Sequence, residues 1–438
     1  MMPKKSFLRR RPVVGALALL GASALALTAC SGGGDGGGAS SDPDAPVTLR
    51  LSVEAGAVRA PIATMADKYA EENPNVTFEV EEVPNEQFGE VLRTQLQGGN
   101  APDLFYVTGG SGNPHSALPL AEAGYLEPLT DTVAAELFTD QTRYLSEWDG
   151  QIWTQPVDFV PITNNYNLTA SEELGITPPF SSVRDVEAAC KTAADGGKTL
   201  LRLAGSTVPN NGLTTLQFAA TRVYAKDPDW NAQRAAGDVT FADTEGWKDS
   251  LQLILDLRDA GCFQNGVEAG VIADNVPNVA AGNTLGAFAP GGAVGDMRRI
   301  NPDATFISTA FPGDDGEEYM FASPSNMLGI NASSSADKKD AAKRFLAWLA
   351  EPENADALAQ TSGNLSIRAG AGSTLPEQYS SIASYFEEEK YQPLANLGWP
   401  SPEIYNTLGT GVQGLLTGQT TIDAVLTAMD AAWDSASR

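Results

Sequence analysis

The chain has 438 residues, with 28 basic against 55 acidic side chains, a formal net charge of −27, one histidine and three cysteines. That balance excludes nucleic acid and anionic lipid headgroups as main partners, because both demand a basic face. One histidine and no paired-cysteine spacing support no metal site, so no cofactor is expected.

The first elements are targeting signals. Lys4, Lys5, Arg9, Arg10 and Arg11 form a basic segment, Val13 to Leu27 is apolar, and "LTAC" ends at Cys30. This reads as a secretory signal over residues 1–29, too short and too rich in small residues for a stable membrane span. A cysteine directly after Leu-Thr-Ala has the form of a bacterial lipobox, which makes Cys30 the acylated N-terminus of the mature chain. The tract "SGGGDGGGASSDPDAP" behind it cannot build a core and reads as a flexible tether over residues 30–45. Removing the five basic residues of the leader from the 28 leaves 23 against 55 acidic side chains, a net charge of −32. About 390 residues then remain, enough for two lobes with their own cores.

"VTLRLSVE" (Val47 to Glu54) reads as a strand, and "RAPIATMADKYAEENP" as a helix with Ile62, Met65, Ala66 and Tyr69 on one stripe and Pro74 at its end. A second strand at Val76 to Val83 precedes a helix whose Phe88, Leu92 and Leu96 are spaced by four, with Gly98 past its end. "DLFYV" (Asp103 to Val107) is a third strand. This βαβαβ order implies a parallel sheet whose ligand crevice lies outside the carboxyl ends of its strands. The loop "TGGSGNPH" sits at that crevice. It is no phosphate cradle: Gly-Lys-Ser/Thr is absent, the Gly-x-Gly-x-x-Gly spacing is wrong, and Pro114 removes a backbone donor. The spacing instead suggests a backbone shaped to admit a neutral polar ligand.

Downstream, Asp149-Gly150 marks a tight turn before the strand of "QIWTQPVDF". Thr244 to Gly261 is a helix, "LGAFAP" and "ATFISTAF" are strands, and helices follow at Ser335 to Asn354 and over "TTIDAVLTAMDAAWDSA". Cys190 and Cys262, in an exported domain, are expected to form a disulfide.

Taken together, "QGGNAPDLFYV", "LAEAGYLEPLTD", "WDGQIWTQPVDFVPITNNYN", "SADKKDAAKRFLAWLAEPEN" and "LLTGQTTIDAVLTAMDAA" resemble the extracellular solute-binding proteins of carbohydrate-uptake ABC transporters, the maltodextrin-binding-like group. The resemblance spans nearly the whole mature chain. It implies an α/β, two-lobe periplasmic-binding-protein-like fold (type II), each lobe a mostly parallel sheet flanked by helices. Residues 46–158 and 307–351 would form lobe one, and residues 159–306 and 352–438 lobe two. It implies a monomeric receptor rather than an enzyme, which closes on a mono- or oligosaccharide and presents it to an ABC permease at the extracellular face of the membrane, held there by the lipid on Cys30. One departure stands out: the family usually has a sugar-site Trp where this chain has Gly292 or Ala293.

A sugar site needs planar amides and carboxylates for its hydroxyls and aromatic rings for its C–H faces. Glu54 ends the first strand, and Thr108, Ser111 and Asn113 lie on the glycine loop. Asp158 follows the Pro where the family commonly uses side chains, and Asn326 begins a strand returning to lobe one. Trp153, beside the lobe crossing, could stack or pack. Trp230 in "KDPDWNAQ" and Trp399 in "NLGWPSPE" sit in turn-rich stretches, which favours a ligand-facing role. Trp247, Trp348 and Trp433 ride helical stripes and read as core.

Other polar solutes, such as a polyol or polyol phosphate, are the alternative ligand class, and a secreted carbohydrate-active enzyme the alternative function. Against the enzyme, one histidine supports no Ser-His-acid triad. The acidic pairs Glu81-Glu82 and Asp314-Asp315 and the run Glu387 to Glu389 read as solvated surface.

Overall fold

The computed structural model describes residues 45–55, 59–368 and 375–436. The signal segment, Cys30 and all but the last residue of the tether lie outside the described residues.

The first lobe is built as its spacing predicts. β1 (Val47–Glu54), α1 (Arg59–Glu72), β2 (Val76–Val83), α2 (Asn85–Gln97) and β3 (Leu104–Thr108) follow in order. β1 pairs in parallel with both β2 and β3. Leu49, Leu51 and Val53 of β1 and all of β3 are buried, as a strand covered on both faces by helices requires. Phe88, Leu92 and Leu96 of α2 are buried against this sheet. Two later strands complete it, both antiparallel: Asn326–Ile330 beside β3, then Gln155–Pro156. At the hairpin, Asp149 and Gly150 both have positive φ, 49° and 70°, as a two-residue turn between twisted strands demands.

The second lobe is organised around the ten-residue strand Asp158–Asn167. Thr284–Pro290, Phe306–Thr309, Met320–Ser323 and Leu365–Ser366 all pair with it antiparallel. The expectation of a mostly parallel sheet therefore holds for β1–β3 and not here. Parallel pairing in this lobe is confined to its margins, Thr199–Arg202 beside Thr284–Pro290 and Met320–Ser323 beside Tyr391–Gln392.

The chain crosses between lobes later than the resemblance implied. Phe306–Thr309 and Met320–Ser323 belong to the second sheet, so the return falls at Pro324-Ser325 rather than at residue 307. The helix Pro352–Ser362 packs on α1 in lobe one, so the last crossing falls at Gly363-Asn364 rather than at 352. An apolar run announces a strand, but not which of two sheets it joins.

The cores differ in kind. Lobe one is mostly aliphatic, whereas lobe two centres on a nest of rings. Trp230, Trp247 and Trp399 are at most 2 % exposed, and Trp247 lies 5.7 Å from Trp230 and 6.1 Å from Trp399 between ring centroids. Cys190, on the helix Val183–Asp195, is disulfide-bonded to Cys262, with their Cα atoms 4.7 Å apart. Among the described residues no helix is long and apolar enough to cross a membrane.

Candidate functional site

A cleft of about 780 Å³ opens between the lobes at the carboxyl ends of β1 and β3, where a sheet of this topology leaves a crevice. Its lobe-one wall begins with Glu54, the last residue of β1, and Tyr106 and Thr108, alternate residues of β3 that share one face. His115, on the loop after β3, joins them: its Nε2 is 3.0 Å from Thr108 Oγ1 and 3.3 Å from Glu54 Oε1. Asn326 completes the wall, accepting a 3.0 Å hydrogen bond from the Tyr106 hydroxyl.

His115 is 9 % exposed, and burial pushes its imidazole down to about 4, with the charge of Arg93 adding to the fall. The nearby Glu54 carboxylate pulls the other way, but desolvation of the ring outweighs it. At neutral pH the ring is therefore uncharged and its contact with Glu54 is not an ion pair. Burial raises the Tyr106 hydroxyl well above its ordinary range, helped by the charges of Glu54 and Asp158. Tyr106 is a neutral phenol at any physiological pH.

Four of the residues singled out from sequence line this cleft: Glu54, Thr108, Asn113 and Asn326. Five do not. Ser111 turns away and donates 2.6 Å to the carbonyl of Trp399. Trp153 packs against the lobe-one core and donates from Nε1 to the Trp148 carbonyl, 2.9 Å. Asp158 lies behind the cleft, 3 % exposed. Trp230 and Trp399 are core residues of lobe two rather than exposed or ligand-facing side chains. Their turn-rich surroundings end in a helix start at Trp230 and a 3₁₀ turn before Trp399, and both rings fold inward. No tryptophan of the seven lines the cleft.

The glycine loop also serves otherwise than its position suggested. Ser111 N donates 2.8 Å to Leu397 O. A Cβ on Gly110 would collide with the Leu397 carbonyl, and one on Gly112 with that of Asn396. Gly110 moreover has φ 75°, which favours glycine. The bare backbone admits the chain's own segment Ala395–Gly398, and Asn113 and His115 beyond it face the cleft. Gly292, where a Trp was noted as missing, is pressed against Asn364 Oδ1 and Ser362 O, each 2.7 Å from where a Cβ would stand. No side chain fits there.

Two features were missed. His115, the single histidine of the sequence, lines the cleft although nothing in its loop marks it as a ligand-facing residue. Glu90, Arg93, Thr94 and Gln97 also reach the cleft rim from α2. Their spacing of three, four and seven traces the face of α2 opposite the Phe88–Leu92–Leu96 stripe, a signal the sequence carried.

The lobe-two wall is apolar: Val160, Ile162, Pro209, Leu213, Pro290 and Leu394, with Asn396, Asn406 and the ring of Tyr405. Among the described residues no cluster of His, Cys, Asp and Glu could hold a metal ion.

Two α/β lobes joined by crossing strands, with a half-polar, half-apolar cleft between them, define a ligand-binding protein of the periplasmic-receptor type. The chain belongs to the bacterial extracellular solute-binding proteins, whose sequence profile matches residues 64–383. No curated protein sequence matches it. Among solved structures, it is similar to a raffinose complex of the solute-binding protein RafE (20% identity, 90% of this chain and 100% of that one, TM-score 0.73). A chitin oligosaccharide binding protein gives 20% identity, 90% and 99% coverage and a TM-score of 0.72. The GacH receptor of Streptomyces glaucescens, solved unliganded and with acarbose, gives 17% identity, 89% and 98% coverage and a TM-score of 0.72.

Proposed function

We propose that this protein is a lipid-anchored extracellular receptor that binds an oligosaccharide between its lobes and delivers it to an ABC importer. The observation that carries the reading is the division of the cleft. A sugar ring has an edge of hydroxyls and faces of C–H bonds. The cleft meets the first with Glu54, Thr108, Asn113, His115 and Asn326 on lobe one, and the second with the apolar wall of lobe two. The names of the similar structures, with raffinose, acarbose and chitin oligosaccharide, point the same way. Buried polar groups left unpaired by a wrong ligand cost about 1–3 kcal/mol each, which gives lobe one its means of discrimination. Ligand bridging both walls offsets the cost of bringing the lobes together. The protein acts as a monomer, and the lipid on Cys30 keeps it beside the permease.

The test is a thermal-shift screen of the intact protein against sugars, polyols and polyol phosphates. A ligand at 100 times its Kd adds about 2.7 kcal/mol of stability. A shift with an oligosaccharide is the expected result; a shift only with another solute class overturns the sugar assignment, and turnover of a glycoside overturns the receptor. Cys30→Ala should release the protein from the membrane fraction.

A further inference from the structure

Asp158 stands where the three chain crossings meet. It opens the strand Asp158–Asn167, and its Oδ2 accepts from Asn364 Nδ2 (2.7 Å), at the last crossing, and from Asn326 Nδ2 (3.3 Å), at the return. Among the described residues no arginine or lysine pairs with it; besides the two amides only the Ser362 hydroxyl pulls on the carboxylate, and its buried Oδ1 makes no hydrogen bond of ordinary geometry. An ionised carboxylate can only accept, so both amides must turn their nitrogens towards it. Asn326 is thereby obliged to point its oxygen away, to the Tyr106 hydroxyl 3.0 Å distant, and that hydroxyl must donate. The phenol's only proton is committed, and its oxygen, beside the Thr108 hydroxyl, can take a further hydrogen bond only as an acceptor. Tyr106 and Asn326 line the cleft; Asp158 does not.

We propose that Asp158 is a positioning residue that, through Asn326, makes Tyr106 a hydrogen-bond acceptor towards the cleft, so that the site selects a ligand presenting an O–H or N–H there over one presenting an ether or carbonyl oxygen. This rests on the receptor reading above and deepens it. The polarity is reversible. Burial pushes the Asp158 carboxyl up to about 6, against the lowering pull of Asn364, Asn326 and Ser362. A proton on Asp158 lets the Asn326 amide turn over and frees Tyr106 to donate. The titratable groups facing Asp158 are Tyr106 and Tyr379, both held neutral by burial. Beyond Tyr106 stand Glu54 and His115, and beyond Tyr379 stands Arg298.

The experiment has a ligand-free arm and a binding arm. In the intact, nitrogen-15-labelled protein, the side-chain amide signals of Asn326, assigned by their loss in Asn326→Ala, are followed from pH 8 to 4.5. They should move together with those of Asn364 with a midpoint near 6 and lose that midpoint in Asp158→Asn. Signals that do not titrate in the unaltered protein, or that still titrate in Asp158→Asn, overturn the proposal; the first criterion needs no variant to fold. In the binding arm, whichever of raffinose, stachyose, acarbose and chitotriose binds should change its Kd by about tenfold between pH 7.5 and 5, the worth of one hydrogen bond of changed polarity, and Tyr106→Phe should abolish the change. A pH-independent Kd beside titrating amides overturns the specificity claim. Failure of all four sugars strikes the oligosaccharide reading instead, while the amide titration still decides the role of Asp158.

Discussion

Lobe one meets the cleft with groups already bonded to one another, Thr108 to His115 and Tyr106 to Asn326, whereas lobe two meets it with Val160, Ile162, Pro209, Leu213 and Leu394. The polar wall is held in register by its own hydrogen bonds before any ligand arrives, so it discriminates at little further cost in ordering. The apolar wall contributes area and little direction. On the receptor reading, lobe one chooses the ligand and lobe two closes over it.

The largest effect that would break this division lies in lobe two. Trp399→Ala should remove about 3–5 kcal/mol of stability in a denaturant titration, as a fully buried ring does, and leave the affinity of the folded fraction nearly unchanged. Lost affinity at preserved stability would return Trp399 to the binding site.

Next is pH. The folded-state value for His115 lies at about 4, below its unfolded value near 6.5, so the neutral ring costs nothing above pH 6.5. Stability then falls as the pH drops from 6.5 towards 4, by about 3 kcal/mol in all. Asp158, raised to about 6, runs oppositely: its ionised form carries a cost above pH 6 that is relieved as the pH falls towards the unfolded value of 3.8. Urea unfolding of His115→Gln at pH 7.5 and 5 should show a smaller acid loss than the unaltered protein; an equal loss would place the titration elsewhere.

Smaller again is Gly112→Ala, which forces Asn396 off its seat and should cost about 1–3 kcal/mol by the same titration. The finest comparison sets isosteres across the cleft. Thr108→Val should weaken ligand binding about tenfold by calorimetry, whereas Val160→Thr, on the apolar wall, should change it by less than about threefold. Equal losses would end the distinction between walls.

Lobe one was largely legible because its signals are local. β1, α1, β2, α2 and β3 follow from periodicity and end signals, and Glu54, Thr108 and Asn113 follow from their place at strand ends. What escaped depends on distant segments meeting. Nothing near Trp230 or Trp399 announces that Phe241, Trp247 and Trp433 complete a shared core around them. The crossings at residues 324–325 and 363–364 escaped for the same reason, since pairing with Asp158–Asn167 is a property of the whole sheet. The polar face of α2 is a different failure, because its period was present and only its destination was not.

The glycine run after β3 acts as a spacer gauge. Backbone lies on backbone between Gly110–Gly112 and Asn396–Leu397, the thinnest joint a polypeptide can make. Leu397 packs into the core of lobe one, so this joint clamps the segment Ala395–Gly398 onto that lobe at a spacing set by the thickness of two main chains. A methyl group inserted there would act as a shim, lifting Asn396 and Leu397, both of which line the cleft.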